Sequence, residues 1–338
     1  MSRYVTATRA FIDGWQSDVE FLIDGAQLTP VPPGTAENIV AHIQGTVLPG
    51  FTDSHVHLAL IDGSALAPAG VARVVDLGWD PGRVTGWKLR GERDDEVAVS
   101  VEFVGALLTV PGGYPLTSGW VPSEAVRTIA TPEDAAQRVI EMEALGASAI
   151  KISVNSDAGP VFTDDLLAAV VGAAHRHRLP VVAHAQGRGQ AERALAAGVD
   201  RLAHTPWSER LSDEVIAAMA VGCSWISTLD IHGYGDYGRD FEIASDNLAR
   251  FVVAGGMVLY GTDLGNGPLP VGINSRELAA LCAVGLSREA LIRSVTPQGK
   301  IFGPRISWIP DSVSFDNPEL WLAAARVALV STIEEKFA

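Results

Sequence analysis

The chain has 338 residues, 47% of them hydrophobic and 19% charged, and its 25 Lys+Arg against 40 Asp+Glu give a formal net charge of −15. That balance excludes the basic footprint of a nucleic-acid binder and docking on an anionic membrane surface. The apolar fraction suits one large buried core, no apolar run reaches the roughly 18 residues of a membrane helix, and the two cysteines, Cys223 and Cys282, are too few for a disulfide framework.

Residues 1–48 read as short alternating strands around turns such as IDG and VPPG. Their opening, MSRYVTATRAFIDGW, lacks the apolar run of a signal peptide, so a cytoplasmic protein is expected. Strand-like apolar runs follow at VLPGFTDSHVHL (47–58), ARVVDLG (72–78), VEFVGALLTV (101–110), AIKISV (149–154), LPVVAHA (179–185), DRLAHT (200–205), CSWISTL (223–229) and GMVLYGTD (256–263). From the fourth run onward, helical segments intervene. Thr131-Pro132-Glu133-Asp134 supplies an N-cap, a first-turn proline and first-turn acids. Thr163-Asp164-Asp165 starts the next helix, which ends near His177, and Gly198 stands where a C-cap glycine belongs. Strands that read as nearly continuous apolar runs, alternating with helices, predict an α/β fold, a (β/α)8 TIM barrel. Only LALIDGSALAPAG separates the first strand from the second, leaving room for little helix. The tail, with RISWIP and WLAAARVALVST, is expected to pair with the N-terminal segment. The division is then 1–48 with 305–338 as a β-rich side domain, and 49–304 as the barrel.

The chemistry begins at His55-Val56-His57. On a strand the two imidazoles share a face, and at the C-terminal end of a barrel strand that face lies in the mouth. Two imidazoles on one face are half a metal site. Asp53 lies on the same face, one step deeper. His175 and His177 share the spacing but fall on a helix, where residues two apart point about 200° apart around the axis; they are solvated helix-end groups. Lys151, His184, His204 and Asp263 each end a later strand, so all would reach the same rim. Any one alone is an ordinary polar strand end; together with His55 and His57 they make a constellation. His42 precedes the barrel and is read as structural.

The order His-x-His, Lys, His, His, Asp on strands one, four, five, six and eight resembles the amidohydrolase superfamily with two metal ions. LPGFTDSHVHL is similar to that superfamily's opening signature, and AGVDRLAH and YGTDLG look like its imidazolonepropionase-like and prolidase-like branches. The resemblance spans residues 5–304 and implies a TIM barrel plus a β-sandwich built from both chain ends. It also implies a ligand set. His55 and His57 would hold a buried metal with Asp263, His184 and His204 an exposed one, and Lys151 would bridge both as a CO2-derived carbamate. An ammonium has no lone pair to ligate a cation, so a lysine aimed at two dications needs such a modification. Zinc is the first choice of metal, with manganese, iron or cobalt as alternatives.

The implied activity is hydrolysis of a C–N bond in a small molecule: a cyclic amide or imide, an N-acyl amino acid or a dipeptide. A metal-bridged hydroxide would attack, with Asp263 as general acid–base. Tyr114 and Trp120 after strand three, and His232 and Tyr234 after strand seven, are the candidate substrate contacts. Tyr114 stands in PGGY, where many relatives carry GGH. Arg188 could pair with a substrate carboxylate but reads more simply as solvated. The alternatives are a mononuclear deaminase, a lactonase, or a non-catalytic scaffold. Deamination wants a glutamate soon after the fifth-strand histidine, and the first acid after His184 is Glu192. Homo-oligomerisation is left open.

Overall fold

The computed structural model describes residues 2–92 and 98–338. Both ends of the chain contribute to one sheet. Strands β1 (Tyr4–Phe11), β2 (Trp15–Asp24), β3 (Gln27–Val31) and β4 (Ile39–Pro49) come from the N-terminal segment. The body then supplies β5 (Thr52–Val56), β6 (Arg73–Asp76) and β7 (Ser100–Phe103). After these come β8 (Leu107–Thr109), β9 (Val126–Thr128), β10 (Ile150–Asn155) and β11 (Val181–Gln186). The last strands of the body are β12 (Arg201–Leu202), β13 (Ser224–Ile226) and β14 (Val258–Leu259), and the tail adds β15 (Arg305–Pro310) and β16 (Arg326–Leu329).

The end sheet has six strands in the order β16-β15-β4-β1-β2-β3. β15 pairs antiparallel with β4, from Ile306 opposite Pro49 to Pro310 opposite Gly45, so the expected pairing of the two ends is present. At the far edge β3 reaches back to the tail, where Leu28 N donates to Phe302 O (2.7 Å). The sheet's apolar residues, among them Val5, Phe21, Ile43, Phe302 and Ile306, form their own buried cluster.

The body is an α/β structure with a parallel seven-stranded sheet, β14-β13-β12-β11-β10-β8-β9, and a parallel three-stranded sheet, β5-β6-β7. Backbone hydrogen bonds run between them on both sides. Ser54 N donates to Tyr260 O (3.0 Å), Asp263 N to His55 O (2.8 Å) and His57 N to Leu264 O (2.8 Å). On the other side Ser148 N, just before β10, donates to Phe103 O at the end of β7 (2.9 Å), and Trp79 N, after β6, to Gly105 O, before β8 (2.9 Å). The third predicted strand is therefore two pieces. Gly105, at φ 78°, breaks it, and β8 then pairs with β9 where β6 has already ended. Covering that edge satisfies backbone groups that would otherwise be exposed.

Side chains alternate as strand geometry requires. Ile150, Ile152, Val154, Val181, Ala183 and Ala185 join the large core shared with the helices, whereas Ala149, Val182, Ile226 and Leu259 meet in a separate inner cluster. Ser153 and His184 lie on that inner face, opposite each other and nearer the C-terminal strand ends; Lys151, expected at the end of its strand, is instead the second residue of β10, level with Val182. The inner face thus passes from apolar to polar along each strand. The helices start and stop as predicted. Thr131 and Asp134 form a capping box on Pro132–Ala144, Thr163 caps Asp164–Arg176, and Gly198 takes φ 83° after Gln190–Ala196. The short first crossover holds only the single 3-10 turns Leu58–Leu60 and Gly63–Ala65.

Candidate metal centre

Four imidazoles stand in a row at the polar end of the inner face. Ring centroids are 5.3 Å apart for His57 and His55, 4.7 Å for His55 and His204, and 4.9 Å for His204 and His184. Burial, above all, holds His55 down to about 4, His184 to about 3, and His204 well below the ordinary imidazole value, so these three rings are neutral at pH 7. Neutral imidazoles are the form that ligates metals.

Asp263 closes one end of the row. Its Oδ1 is 3.0 Å from His55 Nε2 and 3.3 Å from His57 Nε2. The other nitrogen of each ring faces a backbone carbonyl: His55 Nδ1 lies 2.9 Å from Ala203 O, and His57 Nδ1 3.1 Å from Gly78 O. A carbonyl can only accept, so Nδ1 carries the proton. In the neutral His55 ring Nε2 then offers a lone pair, which points at a carboxylate oxygen. Two acceptors facing one another call for a cation between them. The ligand atoms of His55, His57 and Asp263 all lie within 4.8 Å of one another. Burial opposes the ionisation of Asp263, yet the interactions with His55, His57 and His204 outweigh it and keep its carboxyl well below the usual range.

Lys151 supplies the second sign. It is 2% exposed and its Nζ has no hydrogen-bond partner. Burial lowers its ammonium to about 7. A buried amine that donates to nothing is costly as a cation, and it shares its cavity with all four imidazoles and Asp263. The neighbouring imidazoles are held by side chains: His184 Nε2 donates to Gln186 Oε1 (3.2 Å), and His204 Nδ1 is 2.9 Å from Thr228 Oγ1. The donors of His55, His57 and Asp263 could hold one metal ion.

Several supports were not legible in the sequence. Asp53, expected on the metal face, instead anchors the eighth-strand loop. Its Oδ2 accepts Thr262 Oγ1 (2.5 Å), and its Oδ1 accepts Thr262 N and His55 N (both 3.1 Å). Burial pushes its carboxyl up to about 7. Asn266 Nδ2 donates to Asp263 Oδ1 (3.1 Å). Trp207 packs edge-on to His204 and His184. Asp263 and Thr228 hold φ values of 59° and 44°, a conformation rare for residues with side chains and concentrated at functional sites. Gly261 lets the chain pass close to β5: a Cβ there would overlap the Ile226 side chain and lie 3.1 Å from His55 N.

Of the candidate substrate contacts, Tyr114 and Trp120 line the cavity, which has a volume of about 100 Å³. Tyr114 stacks on His184 (5.1 Å) and accepts a hydrogen bond from Trp120 Nε1 (3.0 Å). His232 and Tyr234 are not in its lining. The His232 ring packs against Trp207 (5.0 Å) with Nε2 buried and unpartnered, and Tyr234 Oη donates to Asn266 O (3.4 Å). Arg188 is solvated, its side chain 91% exposed beside Glu209. The helical histidines pair with surface acids, His175 with Asp200 and His177 with Glu143 (both 2.8 Å), and His42 with Thr6 (2.8 Å).

No protein-family model matches the sequence, and no curated protein matches it. Solved structures do. A Xaa-Pro dipeptidase with methionine in its active site superposes at TM-score 0.77 with 18% identity, covering 98% of each chain. An ochratoxinase from A. niger gives 0.74 at 17% identity over 97% of this chain and 94% of its own. Phenylurea hydrolase B gives 0.73 at 13% over 98% and 96%. At these identities the likeness establishes the architecture alone: the chain shares the fold of these solved structures over nearly its whole length.

Proposed function

We propose that this chain is a metal-dependent hydrolase of the amidohydrolase superfamily that cleaves a C–N bond. The observation that carries the reading is the row of imidazoles, with Asp263 at one end and an orphaned, buried Lys151 amine in the same cavity. The hydrogen bonds between the two parallel sheets support a closed (β/α)8 barrel over residues 49–304, with 1–48 and 305–338 as the side domain. The residues named as metal ligands are His55, His57, Lys151, His184, His204 and Asp263, with Lys151 as a carbamate. Zinc is the first candidate.

When bound, two divalent ions would supply Lewis acidity, polarising a carbonyl and lowering the pKa of water from 15.7 towards about 7. The protein's own part is positioning and proton transfer. Asp263 accepts the proton of the attacking water and returns it to the leaving nitrogen, since an amide nitrogen leaves poorly as an anion. Asp53 and Thr262 fix the loop that aims Asp263. Tyr114, whose hydroxyl burial pushes up to about 12, stays protonated and keeps its proton to donate to the substrate. Deamination is less well supported, because Glu192 is exposed on its helix rather than in the cavity.

The test is amine release by metal-loaded protein from lactams, imides, anilides, dipeptides and N-acyl amino acids, with chelated protein as control. Metal-dependent release from one class is the expected result. No release from any class by fully loaded protein would overturn the proposal.

A further inference from the structure

The loop after β13 departs from ordinary capping. Thr228 begins the 3-10 turn Leu229–Ile231 in the left-handed conformation, φ 44° and ψ 37°, which is rare for a β-branched residue. A capping threonine ordinarily turns its hydroxyl back to accept a backbone N–H of the turn it starts. Thr228 accepts none, and its Oγ1 lies instead 2.9 Å from His204 Nδ1. The N–H groups of Leu229 and Asp230 go to Glu277, which accepts them at Oε1 (3.0 Å) and Oε2 (2.7 Å).

Glu277 departs from the ordinary pattern as well. It is the third residue of the helix Ser275–Ala283, whose N-cap Asn274 accepts the N–H groups of Arg276 (3.0 Å) and Glu277 (3.4 Å). A glutamate at this position ordinarily reaches back to the N–H of its own cap. Here the Asn274 N–H donates to Tyr260 Oη (2.8 Å), and the Glu277 carboxylate crosses to the neighbouring turn. Glu277 is 0% exposed, and the Ser227 hydroxyl is a further partner. A carboxylate this buried gives up its hydration and stands only where donors replace it. The acid on the turn itself, Asp230, is held by Asn274 Nδ2 (2.6 Å), Arg276 Nη2 (2.7 Å) and Tyr237 Oη (2.9 Å).

We infer that Glu277 is a positioning residue for His204: it caps the Leu229–Ile231 turn from another helix and so frees Thr228 Oγ1 to hold the ring through Nδ1, leaving Nε2 for a metal. Glu277 lies outside the cavity lining, and the inference rests on the hydrolase reading for its metal. Without Glu277 the Leu229 and Asp230 N–H groups would lack their acceptors, and the Thr228 hydroxyl is the oxygen a capping threonine spends on them.

Glu277→Gln keeps the shape but sets an amide NH2 against one of the two N–H donors. The first readout needs no metal. Long-range 1H–15N spectra of metal-free protein labelled with 15N-histidine report the tautomer of each ring. His204 in the parent is expected as the single Nδ1–H form, and in Glu277→Gln as a mixture of both, with His55 unchanged. Thr228→Val should give the same mixture and Thr228→Ser the parent's form. Should Glu277→Gln fail to fold, Glu277→Asp, which draws the charge back by one methylene, replaces it. The second readout is chelator competition. Glu277→Gln and Thr228→Val should each weaken the metal at His184 and His204 about tenfold, and the double variant no more than either alone, because both act through one contact. An unchanged His204 tautomer in the Glu277 variant or in Thr228→Val, or additive losses in the double variant, would overturn the inference. Tautomers that shift as described in a parent that binds no metal would sink the hydrolase reading alone.

Discussion

The two halves of the candidate centre are built differently. In the half made by His55, His57 and Asp263, both rings are oriented by backbone carbonyls, Ala203 O and Gly78 O, and Asp263 sits on a backbone tied to β5 by the bond from its own N–H to His55 O. In the half made by His184 and His204, the orienting groups are side chains, Gln186 and Thr228. Backbone groups embedded between parallel strands cannot rotate away, whereas an amide or a hydroxyl can. The first half is therefore preorganised, and the second depends on what fills it. Proteins that need one firmly held ion and one adjustable position gain from this asymmetry, because the supporting shell sets both affinity and ligand orientation.

The comparison can be broken by substitution. The largest effect is expected at Asp263, where ligation and proton transfer coincide. Asp263→Asn should leave the circular dichroism spectrum unchanged while turnover falls roughly a thousandfold or more; an active variant would move the proton-transfer role elsewhere. Lys151→Ala comes next. It should lose one metal and most activity, and short carboxylic acids should restore part of it. Because the Lys151 amine makes no hydrogen bond, the metal-free variant should melt no lower than the metal-free parent. A marked fall in melting temperature would show that the lysine is a structural residue.

Smaller effects should separate the halves. Gly261→Ala forces a side chain between β5 and Ile226, and is expected to weaken the metal at His55 and His57 while sparing the other. Gln186→Ala and Thr228→Ala should do the opposite, weakening the second metal by about 10- to 100-fold. Competition titrations with a chromogenic chelator would resolve the two affinities. If each substitution weakens both metals alike, the halves are not independent and the comparison fails.

The sequence made the first of these halves and the general plan readable, for a physical reason. Strand alternation and apolar periodicity are local, so His55 and His57 could be placed on one face, and the helices at Thr131 and Thr163 located from their caps. The grouping of Lys151, His184, His204 and Asp263 around one cavity followed from the same periodicity, but Lys151 is the second residue of β10 and His184 the fourth of β11 rather than their strand ends. What stayed hidden is non-local. Nothing near Asp53 announces that Thr262 will hold it, and nothing local shows that Trp207 will pack on His184 and His204. The split of the third strand at Gly105, and β9 beside it, turn on a single positive φ and on an edge that exists only once β6 has ended. Likewise His232 and Tyr234 read well as substrate contacts by position, but the fold seats one behind Trp207 and the other on Asn266.

The central claim is that six side chains lining one cavity hold two divalent ions. Metal content per chain is its most direct measure, read by inductively coupled plasma mass spectrometry on protein loaded with zinc or manganese in bicarbonate buffer and purified without chelator. The account predicts about two ions per chain, falling to about one in Lys151→Ala. One ion in the parent would contradict the carbamate bridge and favour a mononuclear deaminase, and none after full loading would contradict the metal centre itself.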